Sequence, residues 1–182
     1  MKGIIFNIFE AYILYSHGES TYDAIVQESH LILNEPIVGP GTYPDEDFLE
    51  MLKVGTDVLG IQKKQLLRQL GRFALGELVS RYPHFVEGYE HPKEFLKSVD
   101  GIIHVEVRKL HQNAYLPVFT YEEIGPNILM MTYYSKRKLY DLAEGLIEGV
   151  ADHFDHPIKQ SNQLRTVDGK EVCEFRLEFQ DG

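Results

Sequence analysis

Eight histidines are spread along this 182-residue chain, and one of them is placed where an imidazole can do chemistry. His17, His30, His84, His91, His111, His153 and His156 fall near expected helix ends or loops, where a solvated or dipole-compensating ring is the ordinary finding. His104 differs. In Gly101-Ile102-Ile103-His104-Val105 it lies inside an apolar helical pattern, with Gly101 leaving space nearly one turn earlier. Such a ring is either a core residue with satisfied nitrogens or an axial ligand to a metal. Taken alone, the core reading comes first. A second set, Tyr133-Tyr134-Ser135-Lys136-Arg137, sits where an expected strand runs into an expected helix. Alternate residues of an extended chain share a face, about 6.6–6.8 Å apart. Tyr133, Ser135 and Arg137 would then offer a phenol, a hydroxyl and a guanidinium to one side. That trio suits a pair of carboxylates, because arginine forks onto one and the hydroxyls add donors. The plainer alternative is a solvated arginine with Ser135 capping the helix.

Other signals are weaker. Asp152-His153-Phe154-Asp155-His156 holds metal-capable side chains but straddles a helix end before Pro157, and reads as surface. Cys173 is the single cysteine, which rules out an intrachain disulfide and any site needing several thiolates. Gly145-x-x-x-Gly149 reads as close helix packing, since membrane dimerisation would need an apolar span.

The elements that must position these residues follow from periodicity. Ile4, Ile5, Ile8, Phe9, Tyr12 and Tyr15 mark an opening helix closed by His17-Gly18, and Ser20 is a candidate N-cap for a second helix to about His30. Pro44-Asp45 opens a helix covering Phe48 to Leu59, and a longer one runs from about Gln62 to Ser80. Pro92 starts a helix that should continue unbroken from Lys93 to His111 and carry His104 mid-length. Strands are expected at Val118–Tyr121 and Ile128–Tyr134, then a helix from Lys136 to Phe154, then strands at Ile158–Thr166 and Val172–Gln180. In the last strand Cys173, Phe175, Leu177 and Phe179 alternate with Glu174, Arg176 and Glu178, so one face is buried. The fold class is α+β: a helical first two thirds, then a four-stranded antiparallel sheet with a helix.

Bulk properties bound the function. A hydrophobic share of 43% and a charged share of 25% suit one globular domain over residues 1–182. The net charge of −10 argues against nucleic acid or an anionic membrane as the main partner, although Lys136, Arg137 and Lys138 form a local basic patch. No apolar run approaches the ~20 residues of a membrane span, and Asn7 and Glu10 interrupt the opening stretch where a signal peptide would be apolar. A cytoplasmic location is the expectation.

Together, His104, Tyr133-x-Ser135-x-Arg137 some 30 residues later and the opening Met-Lys-Gly-Ile-Ile-Phe make the chain resemble the heme-nitric oxide/oxygen-binding (H-NOX) domain family along its whole length. The resemblance implies a b-type heme between the helical part and the sheet, with 1–60 as an N-terminal helical subdomain and 61–182 as the heme-anchoring part. It implies His104 as the iron ligand, Tyr133, Ser135 and Arg137 as holders of the propionates, and Ile5 and Pro117 pressing on the porphyrin. Oxygen-binding members place a tyrosine nine residues past the first Tyr of the motif, where this chain has Leu142. Ala74 stands at a helper position that can be polar, Phe9 is the opening-helix aromatic, and Leu75, Leu78 and Leu146 complete an apolar distal wall. Tyr140 should turn ~200° away from Leu142 on its helix.

Bound dioxygen is favoured by a distal hydrogen-bond donor, and nitric oxide needs far less help. The implied function is therefore a nitric oxide sensor that also admits carbon monoxide and does not hold oxygen stably. Nitric oxide would weaken or break the iron–His104 bond, and a separate enzyme would be regulated, a histidine kinase or a cyclic-di-nucleotide enzyme, since the chain has no room for such a domain. The chain itself is read as no enzyme. Alternatives are a heme enzyme, peroxidase-like or nitric oxide-consuming, and an oxygen-binding protein; each wants a distal polar group that these residues do not offer.

Overall fold

The computed structural model describes residues 1–29, 36–110 and 114–180, without the Leu110 side chain. The expected helix ends at His30 and His111 lie outside these residues. Helix α1 (Gly3–His17) stops at Gly18, whose φ of 87° suits glycine and whose N–H closes on the carbonyls of Ile13 and Leu14. Helix α2 (Glu19–Glu28) starts directly from Gly18, so Ser20 lies inside the first turn rather than at the cap. Helix α3 (Asp45–Leu59) sets Asp45, Glu46 and Asp47 against its positive end and stops at left-handed Gly60. Helix α4 (Lys63–Arg81) leads to a 3₁₀ turn at Pro83–Phe85.

The long helix expected to carry His104 is not continuous. Helix α5 (Pro92–Ser98) gives way to a π-helical segment, Val99–Ile103, and helix α6 (His104–Leu110) begins at the histidine itself. Gly101 and the β-branched Val99, Ile102 and Ile103 are weak helix formers, so the segment resists a wider turn poorly. The wider turn rotates Ile102 outward, leaving it 56% exposed although the pattern put it on the apolar face.

Strands β1 (Val118–Gly125), β2 (Ile128–Tyr134), β3 (Ile158–Val167) and β4 (Lys170–Phe179) form one antiparallel sheet in the order β1-β2-β4-β3. Asp168 and Gly169, both at positive φ, make the β3–β4 turn. Leu129, Met131 and Tyr133 of β2 and Cys173, Phe175, Leu177 and Phe179 of β4 bury one face, as alternation requires. Helix α7 (Tyr140–His153) starts four residues later than expected, after a turn in which Lys138 has φ 51°.

Helices α4 and α7 cross in backbone contact. A Cβ on Gly71 would stand 2.2 Å from the Leu142 carbonyl oxygen, and one on Gly145 2.0 Å from that of Arg68. Ion pairs Arg68–Glu144, Arg68–Glu148 and Arg72–Asp152 run along the same seam. Two hydrophobic clusters result. One gathers α1 to α4, including Phe9, Phe48 and Leu52; the other gathers the sheet with α5 and α7, including Phe95, Leu129 and Phe175.

Candidate functional site

Between these clusters lies an apolar cavity of about 320 Å³, within the size range of small-molecule sites. Its wall is drawn from α1, α4, the α5–α6 segment, the sheet and α7. His104, Pro117, Tyr133, Ser135, Arg137, Ile5, Leu75, Leu78, Leu142 and Leu146 all line it. Phe9 and Ala74 are buried in the N-terminal cluster and are not among the lining residues described. Phe9 instead meets Phe48 at 6.1 Å between ring centroids and fills the space over Gly55. Tyr140 is turned away from the cavity as its spacing required, with its phenol donating to Glu171 at 3.0 Å.

His104 comes to the cavity because the π segment ends on it. The ring packs 5.6 Å from Phe119 and is 9% exposed as a residue. Burial pushes the imidazole below its usual titration range, against the pull of nearby Asp100, so the ring is neutral and keeps a lone pair to give. Nδ1 is sealed within the protein without a hydrogen bond of normal geometry, 3.5 Å from Asp100 Oδ1. Nε2 is therefore the nitrogen left to meet a ligand.

The cavity mouth is polar. Ser135, 3% exposed, ends β2, and its hydroxyl accepts from the Arg137 amide at 3.2 Å. That turn, rather than strand alternation, brings Arg137 beside Ser135. The Arg137 guanidinium donates to both oxygens of Asp45, at 2.7 and 2.9 Å, and to the Tyr115 carbonyl at 2.6 Å. Its carbon stands 4.8 Å over the Tyr115 ring, whose hydroxyl accepts from the Lys136 amide. Arg137, with a smaller contribution from the Met1 amino group, holds the Asp45 carboxyl below the usual range. Asp45 and Tyr115 lie 92 and 22 residues from Arg137 in the chain, so nothing in the local spacing pointed to them. Tyr82, at the end of α4, also reaches the wall, tilted on Phe85 at 5.6 Å. Its signal in the sequence was only that of a helix-end aromatic.

The weaker signals behave as surface and core. Asp152 pairs with Arg72, His153 is exposed, and no group of three or more metal-capable side chains occurs among the described residues. Cys173 is 1% exposed, and burial pushes its thiol up to about 11, a core cysteine rather than a nucleophile.

The sequence model described as Haem-NO-binding matches residues 2–162. An H-NOX protein from K. algicida, solved as unliganded Fe(II), is 30% identical with a TM-score of 0.89, over 100% of this chain and 98% of its own. One from S. oneidensis in the Fe(II)NO state is 25% identical with a TM-score of 0.91, over 100% of both chains. An oxygen-binding H-NOX domain related to soluble guanylate cyclases shares the fold at 22% identity and a TM-score of 0.86, over 100% of this chain and 96% of its own. No curated protein matches the chain.

Proposed function

The chain belongs to the Haem-NO-binding (H-NOX) family of heme gas sensors, and on that premise we propose that it senses nitric oxide through a b-type heme held in the apolar cavity. The residues fit such a group. A flat apolar ring suits walls of leucine, isoleucine, valine and phenylalanine, and its two carboxylates suit a mouth of Arg137, Ser135 and Tyr115. One neutral, buried imidazole faces the same space. This convergence of His104 and the Arg137 cluster on one cavity is the observation that carries the reading.

When bound, heme supplies a ferrous iron that takes a diatomic gas on the side opposite its histidine. His104 would hold the iron through its free nitrogen, and Tyr133, Ser135 and Arg137 would hold the carboxylates. Ile5 from α1 and Pro117 beside β1 line the same cavity and would pack against the ring. Leu75 and Leu78 of α4, with Leu142 and Leu146 of α7, form a wall without a hydrogen-bond donor. Such a wall favours gases that need no donor, nitric oxide and carbon monoxide, over oxygen. The ion-paired α4–α7 seam keeps this wall in place.

Signalling then runs through the histidine. Loosening His104 frees the start of α6 and the π segment, which is tied to β1 through Asp100 and the Phe119 amide. The partner is a separate cytoplasmic signalling enzyme, a histidine kinase or a cyclic-di-nucleotide enzyme. Among the described residues no helix is long and apolar enough to cross a membrane.

Absorption spectra of the reduced, heme-loaded protein test the reading. Nitric oxide and carbon monoxide should each shift the heme band, and air should leave no lasting oxygen complex. A stable oxygen complex would overturn the selectivity, and rapid peroxide turnover would favour a heme enzyme.

A further inference from the structure

We infer that Asp100 is a positioning residue that accepts a hydrogen bond from Nδ1 of His104 and thereby sets how strongly the ring's other nitrogen donates to iron. The inference rests on His104 being the iron ligand. Asp100 sits in the π segment, one turn before the histidine, with Oδ1 3.5 Å from Nδ1. The same oxygen accepts the Phe119 backbone N–H at 3.1 Å, which holds the carboxylate beside the ring rather than in solvent. Nδ1 is buried and lacks a hydrogen bond of normal geometry, so a small closing movement would satisfy it. The wide turn and Gly101, which meets nothing within 4 Å at its Cβ position, leave room for that movement.

The rival acceptor is the Pro117 carbonyl, which also lies within reach of the ring. The two differ in consequence. A charged carboxylate draws the Nδ1 proton harder than a neutral carbonyl and makes the imidazole a stronger donor at Nε2. Asp100 would then tighten the iron–histidine bond and raise the threshold at which a gas bound opposite releases it.

The test is Asp100→Asn in the heme-loaded ferrous protein, since asparagine keeps an oxygen for the Phe119 amide but loses the charge. The iron–histidine stretch in resonance Raman spectra should fall in frequency, and heme loss to apomyoglobin should quicken by about 10-fold. An unchanged stretch and an unchanged rate would overturn the inference, leaving the Pro117 carbonyl as the acceptor. His104→Gly separates this from failure of the underlying reading. If that variant keeps the stretch without added imidazole, His104 is not the ligand and the inference falls with it. A second measurement supplies the ring from outside. In His104→Gly, imidazole can donate from its second nitrogen and 1-methylimidazole cannot, so the gap between their iron–nitrogen frequencies should shrink when Asp100→Asn is added; an unchanged gap would refute the role.

Discussion

At the scale of single residues, the proposed selectivity can be tested at two side chains of the cavity wall. Leu142 offers the cavity no hydrogen-bond donor, so on the proposed function Leu142→Tyr should let the reduced, heme-loaded protein hold oxygen in air, seen as an oxygen spectrum that persists longer than the parent's. Tyr82 is the phenol that the sequence did not bring into view. It stands with Phe85 at the end of α4 and lines the same cavity. Tyr82→Phe should leave the carbon monoxide and oxygen spectra unchanged; a lost or weakened gas complex would place Tyr82 over the iron. His104 was legible as an unusual histidine from its apolar surroundings. The nearness of Asp100 was not, because the 3.5 Å approach depends on a wide turn that periodicity does not reveal.

At the scale of elements, two joints set the cavity. The α4–α7 crossing depends on glycine, since a methyl at Gly145 meets the Arg68 backbone. Gly145→Ala should destabilise the fold by about 1–3 kcal/mol in urea denaturation. Gly76→Ala, in open space on an exposed turn of α4, should stabilise it by about 0.4–1 kcal/mol. The second joint ties α5 to β1, where Glu123 meets Lys93 and Lys97. Those two lysines hold the Glu123 carboxyl down to about 2, against 4.5 for a free side chain. A depressed acid stabilises the fold above its unfolded pKa and loses that contribution as pH falls toward the folded one. The stability gap between the parent and Glu123→Gln should therefore be full above pH 4.5 and close between 4.5 and about 2, which melting curves across that range would check. A gap that widens on acidification would contradict the assignment.

At the scale of the whole molecule, the cavity lies between two hydrophobic clusters, so whatever fills it joins them. Asp45 and Arg137 bridge the same gap at the mouth, linking the start of α3 to the turn before α7. Heme should therefore raise the melting temperature cooperatively, and ligand at 100 times its Kd stabilises by about 2.7 kcal/mol. Hydrogen exchange should slow in both clusters on loading. Protection confined to the sheet would argue that α1 to α3 move independently of the heme.

The sequence by itself determined the class of the fold, the order of nearly every element and the buried face of β4, and it singled out His104, Tyr133, Ser135 and Arg137, which all line the cavity. Those are local matters of periodicity, turn chemistry and residue type, or of a motif spaced closely along the chain. Only the tertiary structure decided that the helix before His104 breaks into a π turn, that Phe9 and Ala74 pack into the core, and that Asp45, Tyr115 and Tyr82 join the site. The π turn opens where weak helix formers let it, and the other placements follow from packing between segments far apart in the chain, where a side chain settles according to the space and partners the other segment leaves. Periodicity carries no record of either.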